Sequence, residues 1–445
     1  MGRDKGKGMR ERAQAVLDGN WTGRSTIPAK GLYPHQWSWD AAFIAIGRSW
    51  YEQRRAQQEL ETLLAAQWAN GMVPHIVFNP AVPAGDYFPG PDFWQSDRCA
   101  NAPRGIATSG ITQPPLHARA ALEVYQHASD RDEALGFLGR VYPKLAAQHA
   151  YLARWRDVGG DGLAAIVHPW ESGLDNSPLW DSELDCLVIP PGALPRYHRA
   201  DLQHANAADR PTDAAYDRYV YLAITYRDAR YDDATLLANS PFLVESVLFN
   251  AIYLWSVHAL AEIAVLLGTD PGPHREQAAR LHDAMLSRFW DPGCGHLFGY
   301  DLRGQRGVPK DSISSMTPLL DPDLPAEVVA AICADLGSPH FTAPAADAGA
   351  GQHFLFPSYD LEAPDFDRRR YWRGPVWINT DWLVWRGLRQ HGAAPLAKQV
   401  ADDMVALVER SGFREYFDPF GGEGYGGKDF SWTAALLLDV LSVTS

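Results

Sequence analysis

Cysteine is scarce in this chain of 445 residues, and the four cysteines that occur stand far apart. They are Cys99, Cys186, Cys294 and Cys333, and no two of them form a CxxC pair. Structural zinc sites and disulfide-stapled scaffolds require closely spaced or numerous cysteines. The sequence therefore disfavours both kinds of site and predicts reduced thiols in a cytoplasmic protein.

Basic residues are also in deficit. The chain has 40 Lys and Arg against 54 Asp and Glu, which gives a formal net charge of -14. A surface of this sign repels nucleic acid phosphates and anionic lipid headgroups. We therefore expect a small molecule as the partner, and neither nucleic acid nor a membrane, while a homo-oligomer is left open.

Long apolar runs are missing as well. The N-terminal segment MGRDKGKGMRER has no apolar centre, so no secretory signal peptide is predicted. The segment 246–261 lacks Asp, Glu, Lys and Arg, but it is shorter than the roughly 20 residues that a bilayer requires. We interpret it as a helix that is buried on all sides.

Aromatic residues, by contrast, are abundant: the chain has 16 Trp, 18 Tyr and 17 Phe. Many of them stand beside Gly, Pro and Asp in loop-like motifs rather than in helical stripes. Aromatic faces stack on the C–H patches of sugar rings, while neighbouring carboxylates and amides bind the hydroxyls. The pattern favours a carbohydrate site, although composition alone is equally compatible with a Trp-rich core.

Helical periodicity recurs along most of the chain, whereas convincing strands are few. Apolar residues return every three or four positions from Leu135 to Trp155 and from Leu396 to Leu407. The other predicted helices are 40–50, 54–69, 112–128, 242–268, 274–290, 325–336, 378–391 and 430–442, and short hairpins are predicted at 163–167 and 296–301.

The segments 72–111 and 168–215 are long, polar and non-helical, and loops of this length in a compact domain are usually functional. Many helices joined by such loops predict a closed helical array. We expect one domain over residues 26–445, with residues 1–25 as a loose leader.

Cleavage of a glycoside requires one carboxylic acid to protonate the leaving oxygen and one carboxylate to act on water or on the sugar carbon. The first candidate is Asp175, in the segment HPWESGLDNSPLWD at 168–181. An apolar pocket would raise its pKa and keep it protonated, as a general acid requires. From the residues alone, Asp175 is equally compatible with capping a helix or holding the loop.

The second candidate is Glu415, in FREYFDP at 413–419, which follows a helix predicted to end near Gly412. Taken alone, a surface salt bridge explains Glu415 better. A third block, YPHQWSWD at 33–40, is typical of a sugar-binding rim, where Asp40 binds hydroxyls or caps its helix. In a fourth block, YWRGPVW at 371–377, Gly374 permits close backbone approach.

Together, these segments closely resemble family 63 of the glycoside hydrolases, and within it the bacterial glucosylglycerate and mannosylglycerate hydrolase branch. The matching blocks follow one another in order along nearly the whole chain. They are YPHQWSWDAAF at 33–43, NGMVPHIVF at 70–78, YFPGP at 87–91, SGITQPP at 109–115, WESGLDNSP at 170–178, YDRY at 216–219, YWRGPVW at 371–377, FREYFDPF at 413–420 and SWTAA at 431–435. The resemblance implies an all-α fold, an (α/α)6 barrel whose long loop insertions form the active-site rim.

The same resemblance implies an inverting α-glycoside hydrolase in which Asp175 is the general acid and Glu415 the general base. Trehalases share a similar pair of acids, which supports this assignment. The residues that the resemblance implies as sugar contacts are Tyr33, Trp37, Trp39, Asp40, Tyr87, Gln113, Trp170, Tyr371, Trp372, Gly374 and Trp377. Arg218, the arginine of the YDRY block, is implied to hold the glycerate carboxylate, for which an arginine is well suited.

One position departs from the family pattern. Members that act on glycerate compounds carry Gln immediately before the SWTAA block, where this chain has Phe430. The resemblance implies glucosylglycerate or mannosylglycerate as substrate, whereas Phe430 favours a neutral α-glucosidase or a trehalase-like hydrolase as the alternative. A third interpretation is a non-catalytic carbohydrate-binding protein, which would need only the aromatic residues.

Neither a cofactor nor a metal is expected. The segment GEGYGGKD at 422–429 nearly spells a phosphate-binding P-loop, but Asp429 replaces the final Ser or Thr and Glu423 would repel phosphate. A flexible lid near the site is predicted there instead. The 15 histidines include no HExxH or other two-His helix pair, so a catalytic metal is not predicted.

Overall fold

The computed structural model describes residues 3–83, 85–203, 206–342, 354 and 356–444. The α-helices in this part of the chain are α1 Arg3–Gly19, α2 Ser38–Arg48, α3 Gln53–Ala65, α4 Pro91–Trp94, α5 His117–His127, α6 Arg131–Tyr151, α7 Asp181–Asp185, α8 Asp213–Asp228, α9 Asp233–Asn239, α10 Val247–Leu266, α11 Gly272–Phe289, α12 Ala326–Leu336, α13 Ile378–Gln390, α14 Ala394–Ser411 and α15 Ser431–Val443.

The strands are short and join into small antiparallel sheets, with the orders β1-β2, β3-β4-β7-β8, β5-β6 and β10-β9. They are β1 Gln36–Trp37, β2 Ile76–Val77, β3 Ala165–Ile166, β4 Val244–Glu245, β5 Trp290–Asp291, β6 His296–Leu297, β7 Gly299–Asp301, β8 Arg306–Val308, β9 Arg414–Phe417 and β10 Gly424–Lys428.

Six helical segments form a closed inner ring. Each contacts the next in the order α2, α5, α10, the 3₁₀ segment Ile313–Leu320, α13 and α15, and α15 returns to α2. The outer layer consists of α1, α3, α6, α11, α12 and α14, each packed against a member of the ring. The predicted (α/α)6 barrel is therefore confirmed.

Burial explains which helices form the ring. Helix α10 is apolar on all faces and is buried along almost its whole length, as expected for a helix with neighbours on every side. It is the one described helix long and apolar enough to span a membrane, but 89% of that apolar window is buried inside the barrel. The outer helix α14 instead buries a single stripe, which includes Val400, Met404 and Leu407.

The two ends of the barrel carry very different connections. At one end, the links 49–52, 128–130, 267–271 and 391–393 join adjacent helices in three to five residues. At the other end, the chain returns to the start of the next inner helix through long segments such as 66–116, 152–246 and 337–377. Long loops therefore surround the N-terminal ends of the inner helices, and this is where a site can be assembled.

Charged side chains are buried in the half of the barrel with short connections. Asp439 accepts hydrogen bonds from the indole N–H groups of Trp382, at 2.8 Å, and Trp50, at 2.9 Å. Arg386 pairs with both Asp439 and Glu123. Burial alone would raise the pKa of Glu123, but the neighbouring guanidinium groups outweigh it and lower the pKa to about 2. These charges are tolerated because each is paired and hydrogen-bonded.

The predicted helices are present within a few residues, but several elements were not predicted, and three of them matter for the barrel. The N-terminal segment predicted as a loose leader contains α1, whose Met9 and Leu17 are buried and which packs on α15. Helix α8 begins inside the segment 168–215, which was predicted to be non-helical. The inner segment 313–320 escaped prediction because Pro318 interrupts its helical pattern.

Candidate active site

A cavity opens at the end of the barrel that carries the long loops. Among the residues that the structure describes, four carboxylate residues line it, together with a single cationic side chain, that of Arg210, and a wall rich in aromatic rings. The full lining is Pro28, Leu32, Tyr33, Trp37, Trp39, Asp40, His75, Tyr87, Phe88, Pro89, Gln113, Trp170, Gly173, Asp175, Asp201, Arg210, Tyr216, Tyr371, Trp372, Glu415, Phe430 and Trp432.

The loop that carries Asp175 is held by a buried ion pair. Arg156 donates to both carboxylate oxygens of Glu171, each at 2.7 Å. The same carboxylate accepts from the backbone N–H groups of Val167 and Thr112. Glu171 is therefore saturated with structural contacts and serves to fix the loop 168–177 rather than to react.

Close packing at Gly173 completes the fixing of this loop. Gly173 has a φ of +77° and lies against Trp39, so that a Cβ here would come within 2.6 Å of the indole ring. The hydroxyl of Tyr219 also donates to the backbone carbonyl of Asp175 at 2.9 Å. The position of the Asp175 backbone is thus determined by tertiary contacts on both sides.

Asp175 has the protonation behaviour that a general acid needs. Burial, which outweighs the opposing charge of Arg210 and is assisted by the charge of Glu415, raises its pKa to about 7. A substantial fraction of this carboxyl is therefore protonated near neutral pH, whereas a solvent-exposed aspartate would be ionised.

Glu415 lies on β9, opposite an irregularity in the hairpin with β10. The register of the hairpin shifts between Tyr425 and Lys428, which leaves Gly426 and Gly427 in a bulge. The backbone N–H of Gly427 donates to Glu415 Oε2 at 2.8 Å, and the hydroxyl of Tyr33 donates to Oε1 at 2.8 Å. Bulges commonly re-aim groups beside active sites in this way.

Glycine is required at this bulge for two reasons. Gly426 has a φ of +64°, a backbone conformation that disfavours other residues. A Cβ at Gly426 would also come within 2.2 Å of Glu415 Oε2. The glycine-rich segment 422–429, predicted to be a lid, contains a β-strand whose backbone positions the carboxylate of Glu415.

The carboxylate of Glu415 is deeply buried, and burial raises its pKa above the usual value for glutamate. The charge of Arg210 and the hydrogen bonds from Gly427 and Tyr33 oppose this shift by stabilising the ionised form. Glu415 therefore combines a basic carboxylate with contacts that keep it charged, which suits a general base.

Arg210 connects the charged groups of the cavity. Its Nη1 donates to the hydroxyl of Tyr33 at 2.9 Å and lies 3.6 Å from Glu415 Oε1, while its Nε donates to Asp201 at 3.2 Å. The guanidinium also lies over the ring of Tyr371, 4.4 Å from its centre. Among the described residues, no acceptor lies within hydrogen-bonding distance of Nη2.

Asp40 is the third carboxylate of the catalytic region. Burial raises its pKa well above the usual range, and the charges of Glu415 and Asp175 raise it further. The backbone N–H of the preceding residue, Trp39, donates to the side-chain carbonyl of Gln113 at 3.3 Å, so the amide NH₂ of Gln113 is left as a donor. A carboxyl and an amide side by side, with indole rings around them, are suited to binding sugar hydroxyls.

The structure brings most of the predicted site residues together, but not all of them. Asp175 and Glu415 face the same cavity, and so do Tyr33, Trp37, Trp39, Asp40, Tyr87, Gln113, Trp170, Tyr371 and Trp372. Trp377 lies behind the cavity, where it stacks on Trp372 at 3.7 Å and donates to the backbone carbonyl of Tyr371. Gly374 does not line the cavity either; it packs closely against Phe366 and Asp367.

Arg218 also lies away from the cavity lining. It stands on α8, and its guanidinium pairs with Asp185 at 3.1 Å. A glycerate-binding role for Arg218 stays a prediction, whereas Arg210, eight residues earlier, is the arginine that the fold places in the cavity.

Several lining residues were missed from the sequence, above all Arg210, Asp201, His75, Tyr216 and Trp432. Trp432 belongs to the SWTAA block and Tyr216 to the YDRY block, so the motifs had already marked their positions. Arg210 and Asp201 had only one signal, their location in the long non-helical segment 168–215.

Two groups of metal-ligating side chains occur in the described residues, and both lie outside the cavity lining. In each group, one ligand atom per residue lies within 4.8 Å of the others; the groups are His258, Asp321 and Asp323, and His296, Asp311 and Asp335. Inside the cavity, Asp175 and Glu415 share the Arg210 cation as a counter-ion. The charge that would attract a divalent cation is thus already partly neutralised there.

The roles predicted for Asp175 and Glu415 imply a bell-shaped dependence of kcat/KM on pH. Asp175 must be protonated to donate, so activity is expected to fall as pH rises through about 7, the value to which burial raises its pKa. Glu415 must be ionised to accept, and its raised pKa places the acid limb above the usual glutamate value. Initial rates at low substrate concentration over the pH range test this, and activity that still increases well above the pKa of Asp175 would contradict its assignment.

Comparison with known proteins agrees with this geometry. A model of the mannosylglycerate hydrolase MGH1-like glycoside hydrolase domain matches residues 33–433. The mannosylglycerate hydrolase of Rubrobacter radiotolerans is 42% identical over 96% of both chains. The glucosylglycerate hydrolase of Mycolicibacterium hassiacum is 40% identical over 97% of both chains.

A solved structure shares both fold and sequence with this chain. It is the family 63 mannosylglycerate hydrolase of Thermus thermophilus in complex with Tris and D-glycerate, which superposes with a TM-score of 0.88 at 42% identity over 97% of this chain and 99% of that one. The chain therefore belongs to the mannosylglycerate hydrolase MGH1-like family of glycoside hydrolases, within family 63, and is an O-glycoside hydrolase.

Proposed function

We propose that the protein hydrolyses the α-glycosidic bond of glucosylglycerate or mannosylglycerate, with inversion at the anomeric carbon, to release the free sugar and glycerate. The observation that carries this proposal is the convergence of Asp175, Glu415 and Arg210 on one cavity. The first two supply an acid and a base, and the third supplies the charge that an anionic aglycone needs.

Asp175, in its protonated form, donates to the glycosidic oxygen as the bond to the anomeric carbon breaks. Glu415, in its ionised form, removes a proton from the water that attacks the opposite face of the same carbon. The released sugar is then the β-anomer. In an inverting enzyme the two carboxyl groups stand about 6.5–9.5 Å apart, because a water molecule must fit between the base and the sugar.

Arg210 supports an acidic aglycone rather than a second neutral sugar. It is the one cationic side chain among the described residues that line the cavity, and its Nη2 has no acceptor among them. Guanidinium groups bind carboxylates through short charge-assisted hydrogen bonds. The D-glycerate in the Thermus thermophilus complex is consistent with an aglycone of this charge.

A neutral α-glucoside, including a trehalose-like disaccharide, is the second candidate substrate. Phe430 favours it, because this position lines the cavity with an apolar ring where an amide was expected. The cavity as a whole favours the acidic substrate, since a neutral sugar would leave the Nη2 group of Arg210 without a charged acceptor. A non-catalytic sugar-binding protein would not require both carboxylates in one cavity.

We place the reaction in the cytoplasm. All four cysteines are free thiols, and two of them, Cys186 and Cys294, are exposed. Exposed free thiols are typical of a reducing compartment. The net charge of -14 further supports a small-molecule partner over nucleic acid or anionic membranes.

Release of free sugar from four compounds tests the proposal: α-glucosylglycerate, α-mannosylglycerate, trehalose and an α-glucobiose. Asp175→Ala and Glu415→Ala should be measured beside the unaltered protein. We expect sugar release from a glycerate compound that both substitutions abolish. Cleavage of only the neutral disaccharides would support the assignment of the catalytic pair but contradict glycerate as the aglycone. Binding of sugars without any turnover would favour the non-catalytic sugar-binding protein.

A further inference from the structure

The wall of the cavity beside Tyr33 is apolar. Phe430 is 2% exposed and packs its ring edge-on against Tyr33, with 5.9 Å between ring centres. Leu32 and Pro28 line the same cavity and are also buried. None of these three side chains can donate or accept a hydrogen bond.

Backbone hydrogen bonds hold Phe430 in this position. Its own N–H donates to the carbonyl of Phe413 at 2.9 Å, and the N–H of the next residue, Ser431, donates to the carbonyl of Pro28 at 2.9 Å. The ring also packs against Trp432, with 4.7 Å between ring centres. The ring therefore cannot easily turn away to admit a polar group.

This wall lies next to the group that would bind an acidic aglycone. The hydroxyl of Tyr33 lies 2.9 Å from Arg210 Nη1, and Phe430 contacts the ring of the same tyrosine. An aglycone whose carboxylate reaches Arg210 therefore has its remaining carbon chain close to the Phe430 side of the cavity. In glycerate, C2 carries the glycosidic oxygen, so the group that faces this side is C3 with its hydroxyl.

We propose that Phe430 extends the reaction to α-glycosides of 2-hydroxy acids whose third carbon carries no hydroxyl, with lactate as the simplest case. This inference rests on the proposed function. The chemistry is the same hydrolysis: water adds to the anomeric carbon, the glycosidic C–O bond breaks, and the hydroxy acid leaves with the proton from Asp175. The lactate and glycerate substrates differ only in the group at C3, which is a methyl group in lactate and a hydroxymethyl group in glycerate.

Polar and apolar pockets differ in how strongly they discriminate between a substrate with a hydroxyl group and one without it. This difference predicts which substrate the enzyme prefers. A site built to hydrogen-bond a hydroxyl strongly rejects the analogue that lacks it, whereas an apolar pocket rejects an added hydroxyl only weakly. The Phe430 wall should therefore accept both compounds and should favour the methyl group of lactate. A polar residue at position 430 should instead require the hydroxyl of glycerate.

The test compares kcat/KM for 2-O-α-glucosyl-(R)-lactate and 2-O-α-glucosyl-(R)-glycerate, which differ only at C3. We expect the unaltered enzyme to hydrolyse the lactate compound at least as efficiently as the glycerate compound. Phe430→Gln is expected to lower the lactate-to-glycerate ratio by about tenfold or more, since it offers the C3 hydroxyl a partner. Phe430→Leu, which keeps the wall apolar, should leave the ratio within about threefold of the original.

Phe430→Tyr provides a second polar variant of nearly the same shape, in case the glutamine variant does not fold. A preference of the unaltered enzyme for glycerate by more than about tenfold, or a ratio unchanged in both polar variants, would overturn this inference and leave the proposed function intact. Release of sugar from neither compound, nor from the two corresponding α-mannosides, would overturn the proposed function together with the inference.

Discussion

Asp175→Asn is expected to lower kcat/KM on a glycerate glycoside by about 10²–10⁴-fold, the usual contribution of a general acid, while hydrolysis of an α-glycosyl fluoride stays within about tenfold of the original rate. The two substrates differ in their leaving group. Fluoride departs without a proton, whereas glycerate must receive a proton on its glycosidic oxygen as it leaves. Asparagine preserves the size of the side chain, so the Gly173–Trp39 contact is retained.

Glu415→Gln is expected to behave differently and to lose about 10²–10⁴-fold on both the glycoside and the fluoride, because every substrate needs the activated water. Proton NMR of the first-formed sugar, recorded before mutarotation, should show the β-anomer from the unaltered enzyme. An equal loss on both substrates in Asp175→Asn, or the α-anomer as first product, would require a different assignment of the two carboxyls. Thermal unfolding of each variant controls for loss of structure.

Replacement of Arg210 is expected to have a smaller effect than replacement of either carboxylate, but still a large one. Arg210→Met should lower kcat/KM on a glycerate glycoside by about 10–100-fold, mainly through KM, because a charge-assisted hydrogen bond to the carboxylate is lost. The methyl ester of the same substrate, which has no carboxylate charge, should lose much less. The comparison of acid and ester separates carboxylate binding from damage to the site.

Arg218→Met is the matched control for this experiment. Arg218 is the arginine that the sequence associates with glycerate, but it pairs with Asp185 from its place on α8 and does not line the cavity. We expect it to change kcat/KM for the glycerate compound by less than about threefold, as for a surface ion pair. A larger loss in Arg218→Met than in Arg210→Met would contradict the placement of the carboxylate beside Arg210.

Arg210→Met should also shift the pH profile, because the charge of Arg210 lowers the pKa of both Asp175 and Glu415. Without that charge both pKa values rise, so the acid limb and the alkaline limb should both move to higher pH. A loss of carboxylate binding alone would leave the limbs in place, so the profile measures the electrostatic part of the Arg210 effect.

The contrast between these two arginines illustrates what the sequence could and could not predict. Asp175 and Glu415 could be predicted to share one cavity because each lies in a distinctive block of neighbours, and such blocks are readable without coordinates. Arg210 is surrounded by residues of no distinctive pattern, and its role depends on contacts with Tyr33 and Glu415, which are far away in the chain. Contacts of that kind are decided by the folding of a long irregular loop, not by local propensity.

The helices were predicted well where one face is regularly apolar, as in α13 and α14, because packing requires that pattern. Prediction failed at 313–320, where a proline stands inside an inner segment and the 3₁₀ form replaces an α-helix. It also failed for the Gly426–Gly427 bulge: the composition indicated a mobile lid, but the backbone there is used to hold Glu415. A glycine-rich segment can form either a mobile lid or a tight bulge, and only the register of the hairpin shows which of the two is present.

The ring of inner helices closes between α2 and α15, and this closure has a consequence for biosynthesis. Tyr33 and Glu415, which form one hydrogen bond, are 382 residues apart in the chain. At typical rates of synthesis, the N-terminal part of the site waits roughly 20–80 s on the ribosome before its partner is made. During that interval the apolar faces of the early helices have no permanent neighbours, so the nascent chain should depend on chaperones, and enzymatic activity should appear only after the last helix has emerged.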